Sequence, residues 1–316
     1  MRLYLVDSSI YIFKAWFAAG SERVNNDGQA NQAFIGFTDF VYRLLTERAP
    51  SRLVFAFDES LKHSQRKSLY PDYKANRAPV PEGLKRQFNW CQNWIENLGI
   101  SKVSSDIWEA DDLIGTLATL HRSPELAIVI LSADKDLLQL IREGDLWWTF
   151  IGDKRLDYRG IQKKFGVKPE QISELLALAG DKGDNIPGIP HIGLKTAANL
   201  LRKFGDLENL RQNLSEVGRM KFRYAGRVQQ ALIEHESILD ISSRLTRINC
   251  QVESMQNIDT ERKPPDQKRL VDMMENQAMD TMRRNKWHAY LTGNSHEGDE
   301  GLPLLTDEGE YRQVSQ

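Results

Sequence analysis

The sequence predicts an α/β fold with a mostly parallel central sheet flanked by helices. Short apolar segments alternate with helical stretches through the first half of the 316 residues, the pattern of strands joined by crossover helices. Strand signals stop after Arg159, while helical periodicity continues. Carboxylates follow the strongest strands: Asp7 after LYLV, Asp58 after LVFAF, and Asp134 with Asp136 just after AIVILS. In a parallel sheet the strand carboxyl ends open onto one crevice, so acids far apart in sequence are expected to converge there.

In chain order, LYLVD reads as the first strand and IYIFKAWFAAG as the helix after it. NQAFIGFTDFVYRLLTE carries apolar residues at helical spacing and leads into the strand LVFAFD. From Glu59 to Pro81 the chain is polar and basic, lacks an apolar face and is interrupted by Pro71, Pro79 and Pro81. That is long for a plain connector and marks a functional element. A helix from about Leu84 to Leu98, the helix start EADDLIGTLATLH and the strands AIVILS and LWWTF complete a core expected over residues 1–158. IQKKFG, PEQISELLALAG, LKTAANLLRKFG and AGRVQQALIEHESILDISSRL then read as short helices punctuated by Gly and Pro, a helical subdomain over 159–250. Residues 251–292 are expected to form a charged helical extension, and the acidic, aperiodic stretch 293–316 a disordered tail.

At 41% hydrophobic the chain has material for a large core. Cys91 and Cys250 lie in unrelated segments and give neither a disulfide framework nor a thiolate metal site, which points to a reducing cytoplasm. Met1 runs directly into a strand with no leader signature, and no apolar run reaches membrane-spanning length, so no membrane association is expected. The net charge of −2 conceals segregation: seven Lys or Arg lie between Lys62 and Arg86 against Asp72 and Glu82, and eight between Lys195 and Arg227 against Asp206, Glu208 and Glu216. Acids collect instead at 106–112, 134–136 and 181–184. Basic flanks around an acidic centre fit a protein that grips a polyanion above bound cations, although solvated charged faces would give the same runs.

Glu109, Asp111 and Asp112 in EADD could serve only as a helix start, since capping and the helix dipole favour acids there. Asp134 with Asp136, and Asp181 with Asp184 in GDKGD, could be turn residues. Convergence with Asp7 and Asp58 changes the argument, because carboxylates crowded into one cleft repel and hard divalent cations relieve the repulsion. With no His or Cys ligand spacing nearby, Mg²⁺ or Mn²⁺ is favoured over Zn²⁺. A second element, GIPHIGLKTAANLLRKFG from Gly188 to Gly205, brackets a tight turn with glycines and opens a helix with Lys195 and Thr196 in its first turn. Exposed amides there, with Lys195, suit a phosphate. The pattern resembles a helix-hairpin-helix, which holds duplex nucleic acid by its backbone; a plain αα-hairpin would also need the glycines. In SQRKSLYPDYKANRAPVP, Tyr70 and Tyr73 interleave with Arg66, Lys67, Lys74 and Arg77, offering stacking faces beside phosphate partners or, equally, ordinary packing near prolines.

LVDSSIYIFKAWFA, FAFDES, LYPDYKANRAPVP, EADDLIGTLA, LSADKDLLQL and GDKGDNIPGIPHIGLKTA occur in that order. Together they resemble the bacterial and phage 5′-nuclease family, which includes flap endonucleases and the N-terminal exonuclease domain of DNA polymerase I. The match runs from Met1 to about Ile248. The resemblance implies a PIN-like nuclease core, a helical arch at about 59–81 and a helix-hairpin-helix that binds duplex and often a K⁺ ion. It implies two or more Mg²⁺ or Mn²⁺ ions, with Asp7, Asp58, Glu109, Asp111 and Asp112 around a first position and Asp134, Asp136, Asp181 and Asp184 around a second, some acting through water. It assigns Lys74 and Arg77 to the scissile phosphate, Arg66 and Tyr73 to DNA at the arch base, and Gly188, Ile192, Gly193, Lys195 and Thr196 to the duplex grip. Gln65 stands where the family has Phe, and Lys182 with Gly183 where small residues are commoner; neither change removes an acid. The implied activity is metal-dependent 5′-3′ exonuclease and 5′-flap endonuclease cleavage of DNA in replication or repair. The implied form is free-standing and monomeric, reaching the nucleoid through DNA, with the tail open to an unidentified protein partner. A non-catalytic DNA-binding member of the fold and an RNA-directed nuclease with a similar core remain as alternatives.

Overall fold

The computed structural model describes residues 1–18, 23–59 and 63–293. The expected tail from 294 onward, and residues 60–62 of the expected arch, lie outside the described residues. The strands are β1 (Arg2–Asp7), β2 (Arg52–Asp58), β3 (Ser101–Ser105), β4 (Ala127–Leu131), β5 (Leu146–Thr149) and β6 (Lys154–Leu156). The helices around the sheet are α1 (Ser8–Trp16), α2 (Gln32–Arg48), α3 (Gln65–Leu69), α4 (Glu82–Asn97) and α5 (Ala110–His121). Beyond β6 follow α6 (Tyr158–Phe165), α7 (Ile172–Ala179), α8 (Leu194–Phe204), α9 (Leu207–Gln212), α10 (Leu214–Val217), α11 (Ala225–Glu234), α12 (Glu236–Thr246), α13 (Gln267–Asn276) and α14 (Thr281–Leu291).

One six-stranded sheet runs in the order β3-β2-β1-β4-β5-β6, parallel throughout except for β6 against β5. Leu5 of β1 pairs with Val54 on one side and Ile130 on the other. The chain leaves β1 toward β2 and later returns to β4 on the opposite flank, so strand order reverses between β1 and β4. An open α/β sheet presents its ligand crevice at the carboxyl end of such a reversal. Asp7 ends β1 there, and Ser132 follows β4.

Both faces of the sheet are covered, which is why its central strands read as unbroken apolar runs. Alternate side chains Leu3, Leu5, Val54, Ala56, Ile128 and Ile130 pack with Leu113, Ile114 and Leu117 of α5. On the other face Phe55 and Phe57 meet Phe37 of α2 at ring separations of 5.9 and 6.3 Å. β3 escaped the sequence reading because SKVSS, an edge strand, buries only Val103; β6 has three residues. The segment read as one helix from Ala225 breaks at His235 into α11 and α12.

The core below the sheet continues into Leu175 and Leu178 of α7, Leu200 of α8 and Val228 of α11. Residues 1–279 therefore form one compact unit, with Tyr158 marking the change from strands to helices rather than a gap. The second unit begins at Asp280, whose carboxylate accepts from the Arg283 N–H at 3.0 Å to start α14. Among the described residues no helix is long and apolar enough to cross a membrane.

Candidate active site

Asp7 and Ser132 meet at the strand-order reversal, with Ser132 Oγ donating to Asp7 Oδ2 at 2.8 Å. Asp58 closes β2 and accepts from Ser9 Oγ and from the Ala110 N–H, both at 2.9 Å, which ties the start of α5 to the strand end. The helix begins there because Glu109 and Asp112 form a capping box, the Glu109 N–H donating to Asp112 Oδ2 at 3.2 Å. After β4, Asp134 Oδ1 accepts from the Asp136 N–H at 2.9 Å and folds the turn. Asp181 and Asp184 lie in the loop after α7, where Lys135 Nζ sits 2.9 Å from Asp181 Oδ2.

Electrostatically Glu109 stands apart from Asp7, Asp111, Asp134 and Asp136. Burial and then the neighbouring Asp58 push the Asp7 carboxyl up to about 8, against the pull of Ser132. Burial, Asp134 and Asp7 raise Asp111 well above the carboxylate range. Burial and Asp184 raise Asp134, and burial with Asp134, Asp184 and Asp181 raises Asp136. Acids from separate strand ends and the α7 loop thus share one field. Glu109 behaves oppositely: burial pushes it up, but Lys74 and Arg66 outweigh burial and hold it below its ordinary value.

Asp112 is 1% exposed and already satisfied by protein donors. Arg66 reaches it in a fork at 2.7 Å to each oxygen, and the Asn249 N–H donates at 2.8 Å. Arg66 also donates to the Leu245 and Arg247 carbonyls at 3.0 and 3.2 Å. Asp112, expected beside a metal, and Arg66, expected on DNA, neutralise each other here. Tyr73, expected to stack on substrate, is 2% exposed and packs with Ile186 and Leu245. Its hydroxyl lies 3.1 Å from Glu109 Oε2 and 3.3 Å from Asp184 Oδ2, and burial keeps the phenol protonated as a donor.

Lys74 adopts a left-handed conformation, φ 54°, sparsely populated for a side-chain-bearing residue. Its ammonium lies 2.8 Å from Glu109 Oε2 and 3.7 Å from Asp184 Oδ2, while Arg77 pairs with Asp184 Oδ1. The conformation is held by stitching between two distant loops. The Lys74 N–H donates to the Asp184 carbonyl at 2.9 Å, Asn185 Nδ2 to that of Asp72 at 2.7 Å, and Asn76 Nδ2 to that of Lys182 at 2.8 Å. Ser9, Ser132 and Asn185 were missed in the sequence. The serines had a usable signal, since each adjoins an acid-bearing strand end in DSS and LSAD.

At the hairpin between α7 and α8, a Cβ on Gly188 would lie 2.4 Å from the Ala179 carbonyl carbon, so only glycine lets the two backbones approach. Ile192 is buried and anchors the turn. Gly193 caps α8 in the open, and Lys195 is exposed beside the free amides of the first turn. The structure therefore gives Gly188 and Ile192 to the turn and leaves Gly193, Lys195 and Thr196 at its accessible end.

The acid crevice fits hard divalent cations. Its donors are oxygens, its carboxyls raise one another, and Glu109 Oε1 and Asp136 Oδ1 are buried with no hydrogen-bond partner. Among the described residues no three acidic, His or Cys side chains close around one point.

The chain matches the family descriptions "5′-3′ exonuclease, N-terminal resolvase-like domain" over residues 2–166 and "5′-3′ exonuclease, C-terminal SAM fold" over 167–268. A 5′-3′ exonuclease of Aquifex aeolicus is 36% identical over 211 residues, covering 67% of this chain and 72% of the relative. A 5′-3′ exonuclease of Buchnera aphidicola subsp. Schizaphis graminum is 31% identical over 250 residues, 79% and 87% of the two chains. DNA polymerase I of Rhizobium leguminosarum is 34% identical over 258 residues, 79% of this chain but only 25% of the polymerase, so the chain spans about a quarter of that protein. The phage T5 D15 protein co-crystallized with metal ions superposes with TM-score 0.63 at 18% identity, covering 94% of this chain and 100% of that one. The catalytic core of Rad2 in complex with DNA substrate gives 0.62 at 20% identity, covering 92% of each. The two solved structures agree on the fold, and the family models with the exonuclease relatives show that this chain belongs to the 5′-3′ exonuclease family.

Proposed function

We propose that this chain is a structure-specific, divalent-metal-dependent 5′-3′ exonuclease and 5′-flap endonuclease acting on DNA in replication or repair. The observation that carries the site assignment is geometric: Asp7 at the end of β1, Asp58 at the end of β2 and Asp134 after β4 open onto one crevice at the strand-order reversal, where burial and neighbouring acids raise Asp7, Asp111, Asp134 and Asp136. Asp7, Asp58 and Asp111 would hold one Mg²⁺ or Mn²⁺, and Asp134, Asp136, Asp181 and Asp184 a second, with Glu109 beside them. When bound, such cations activate a water and stabilise charge on the leaving 3′-oxygen.

The chain's own cations do the positioning. Lys74 and Arg77 are held at the crevice by Glu109 and Asp184, where an incoming phosphate competes with those carboxylates for them. Together they offset charge that grows on the phosphorus oxygens in the transition state. Asp112 acts by fixing Arg66, and Tyr73 by orienting Glu109, rather than by touching metal or DNA. Gly193, Lys195 and Thr196 grip duplex backbone without reading sequence, with a K⁺ ion beside the hairpin in the same reading. The named metal-bound T5 and DNA-bound Rad2 structures support a metal-dependent DNA substrate class. A monomer in the cytoplasm, with a partner at the tail, completes the proposal.

End-labelled 5′-flap, nicked and blunt duplexes, with single-stranded RNA as a fourth substrate, test it in Mg²⁺. Flap and nicked DNA should be cleaved fastest, and Lys74→Ala should slow both by about 100-fold or more. Preference for RNA, or wild-type rates from Lys74→Ala, would overturn the assignment.

A further inference from the structure

Lys135 brings a further cation to the acid crevice, beside Lys74 and Arg77, and it is held differently. It stands in the chain between Asp134 and Asp136, at the head of the short 3₁₀ turn Asp136–Leu140. From there it reaches across to the loop after α7, where its ammonium lies 2.9 Å from Asp181 Oδ2. The carboxylate is the fixed member of this pair. Asp181 Oδ1 accepts from the Gly183 N–H at 2.8 Å, and the Asp181 and Ile186 main chains exchange hydrogen bonds of 3.0 and 2.8 Å that close the loop. The ammonium is the movable member: its side chain is 44% exposed, against 9% for Lys74, and it rides on a flexible four-carbon stem. A half-exposed ion pair of this kind is weak and gives way to a stronger partner. Beside it, Asp136 Oδ1 is buried without a hydrogen-bond partner, so the acids that Lys135 joins still lack a donor.

We infer that Lys135 is the resident counter-cation of Asp181 in the metal-free chain, and that it passes to a phosphate of the bound DNA when a divalent cation takes its place. The inference rests on the nuclease reading, which gives Asp181 to the second cation and DNA to the crevice, and it adds a residue that couples the two. A divalent cation carries twice the charge of an ammonium and prefers carboxylate oxygen, so the two compete for Asp181 Oδ2. Once displaced, Lys135 is a positive group beside a bound cation, and the negative partner that substrate brings is its phosphate backbone. The exchange runs in both directions. DNA draws Lys135 from Asp181 and so favours binding of the second cation, by the reciprocity of linked equilibria. The crevice thereby fills in step with substrate rather than ahead of it.

The test compares the full chain as wild type, Lys135→Ala, Lys135→Arg and, as a control for bulk charge, Lys182→Ala, which removes an exposed cation adjacent to Asp181. Mn²⁺ binding to the DNA-free protein is read from the loss of the free-ion signal in electron paramagnetic resonance. Lys135→Ala should tighten the weaker Mn²⁺ site by about tenfold, whereas Lys135→Arg and Lys182→Ala should stay within about twofold of wild type. A merely structural role would leave this affinity unchanged or weaken it. Binding of a nicked duplex is then read by fluorescence anisotropy in EDTA and in Ca²⁺. In Ca²⁺ the slope of log K against log salt should be smaller for Lys135→Ala than for wild type by about 0.9, the share of one phosphate contact; in EDTA the two slopes should match. Unchanged or weaker Mn²⁺ binding, or an equal change of slope in the two conditions, would overturn the inference. Cleavage in Mg²⁺ separates it from the reading beneath it. A wild type that cleaves neither flap nor nicked duplex overturns the nuclease reading and this inference with it, whereas an active wild type whose Mn²⁺ titration Lys135→Ala reproduces overturns the exchange at Lys135 alone.

Discussion

Asp111 and Asp112 are adjacent in the chain and opposite in situation. Asp111 is raised by burial and by the acids Asp134 and Asp7, whereas Asp112 is gripped by Arg66 and by the Asn249 N–H. Removing charge from Asp111 relieves repulsion, so Asp111→Asn should leave the metal-free protein as stable as wild type or more so. Asp112→Asn strips the countercharge from a buried guanidinium and should lower the unfolding free energy by about 3 kcal/mol. Guanidinium chloride denaturation of the metal-free proteins measures both; equal losses would show that the two carboxylates share one role. EADD placed both acids at the head of a helix, but nothing local distinguishes them, because the deciding arginine lies 46 residues earlier. The same is true of Tyr73, whose burial depends on Ile186 and Leu245, far away in sequence.

Elements differ in how much of themselves they declare. The hairpin between α7 and α8 was legible because its glycines answer a local need: a Cβ on Gly188 would press within 2.4 Å of backbone. Two substitutions separate its structural and binding ends. Gly188→Ala should lower the melting temperature by several degrees through that clash, an effect of roughly 1–3 kcal/mol. Lys195→Ala should keep wild-type stability, yet weaken duplex binding with a salt slope reduced by about 0.9, one phosphate contact. Unchanged salt dependence in Lys195→Ala would remove the hairpin from the duplex interface. The basic connector was less legible. Its described part is a five-residue helix, α3, followed by turns pinned to residues 182–186. Those pins join positions more than a hundred residues apart, and no local pattern encodes them. β3 was hidden for a different reason: at the sheet edge one buried valine suffices, so the alternation that marks a strand is absent.

At the scale of the whole molecule, the segregated charge of the sequence becomes an acid crevice bordered by Lys74 and Arg77, and its protonation couples to folding. The Asp7 carboxyl moves from 3.8 to about 8 on folding, so the folded chain holds a proton that the unfolded chain releases. Its contribution to stability is therefore full below about pH 4 and lost as pH rises toward 8. Through this cluster the metal-free protein should melt progressively lower between about pH 5 and 8, and saturating Mg²⁺ should remove most of the decline by taking the place of the proton. Calorimetric melting curves with and without Mg²⁺ that stay parallel across that range would contradict the coupling. The convergence of acids was readable because parallel topology forces it, whereas which of them pair with Lys and Arg depends on contacts that only the folded chain makes. The central claim, that the crevice at the β1–β4 reversal is a metal-dependent phosphodiesterase site, is tested most directly by single-turnover cleavage of a 5′-flap duplex across a Mg²⁺ titration, wild type against Asp134→Asn. Cleavage should require the cation and fall by about 100-fold or more in the variant at every concentration; wild-type cleavage in EDTA, or a variant as fast as wild type, would contradict it.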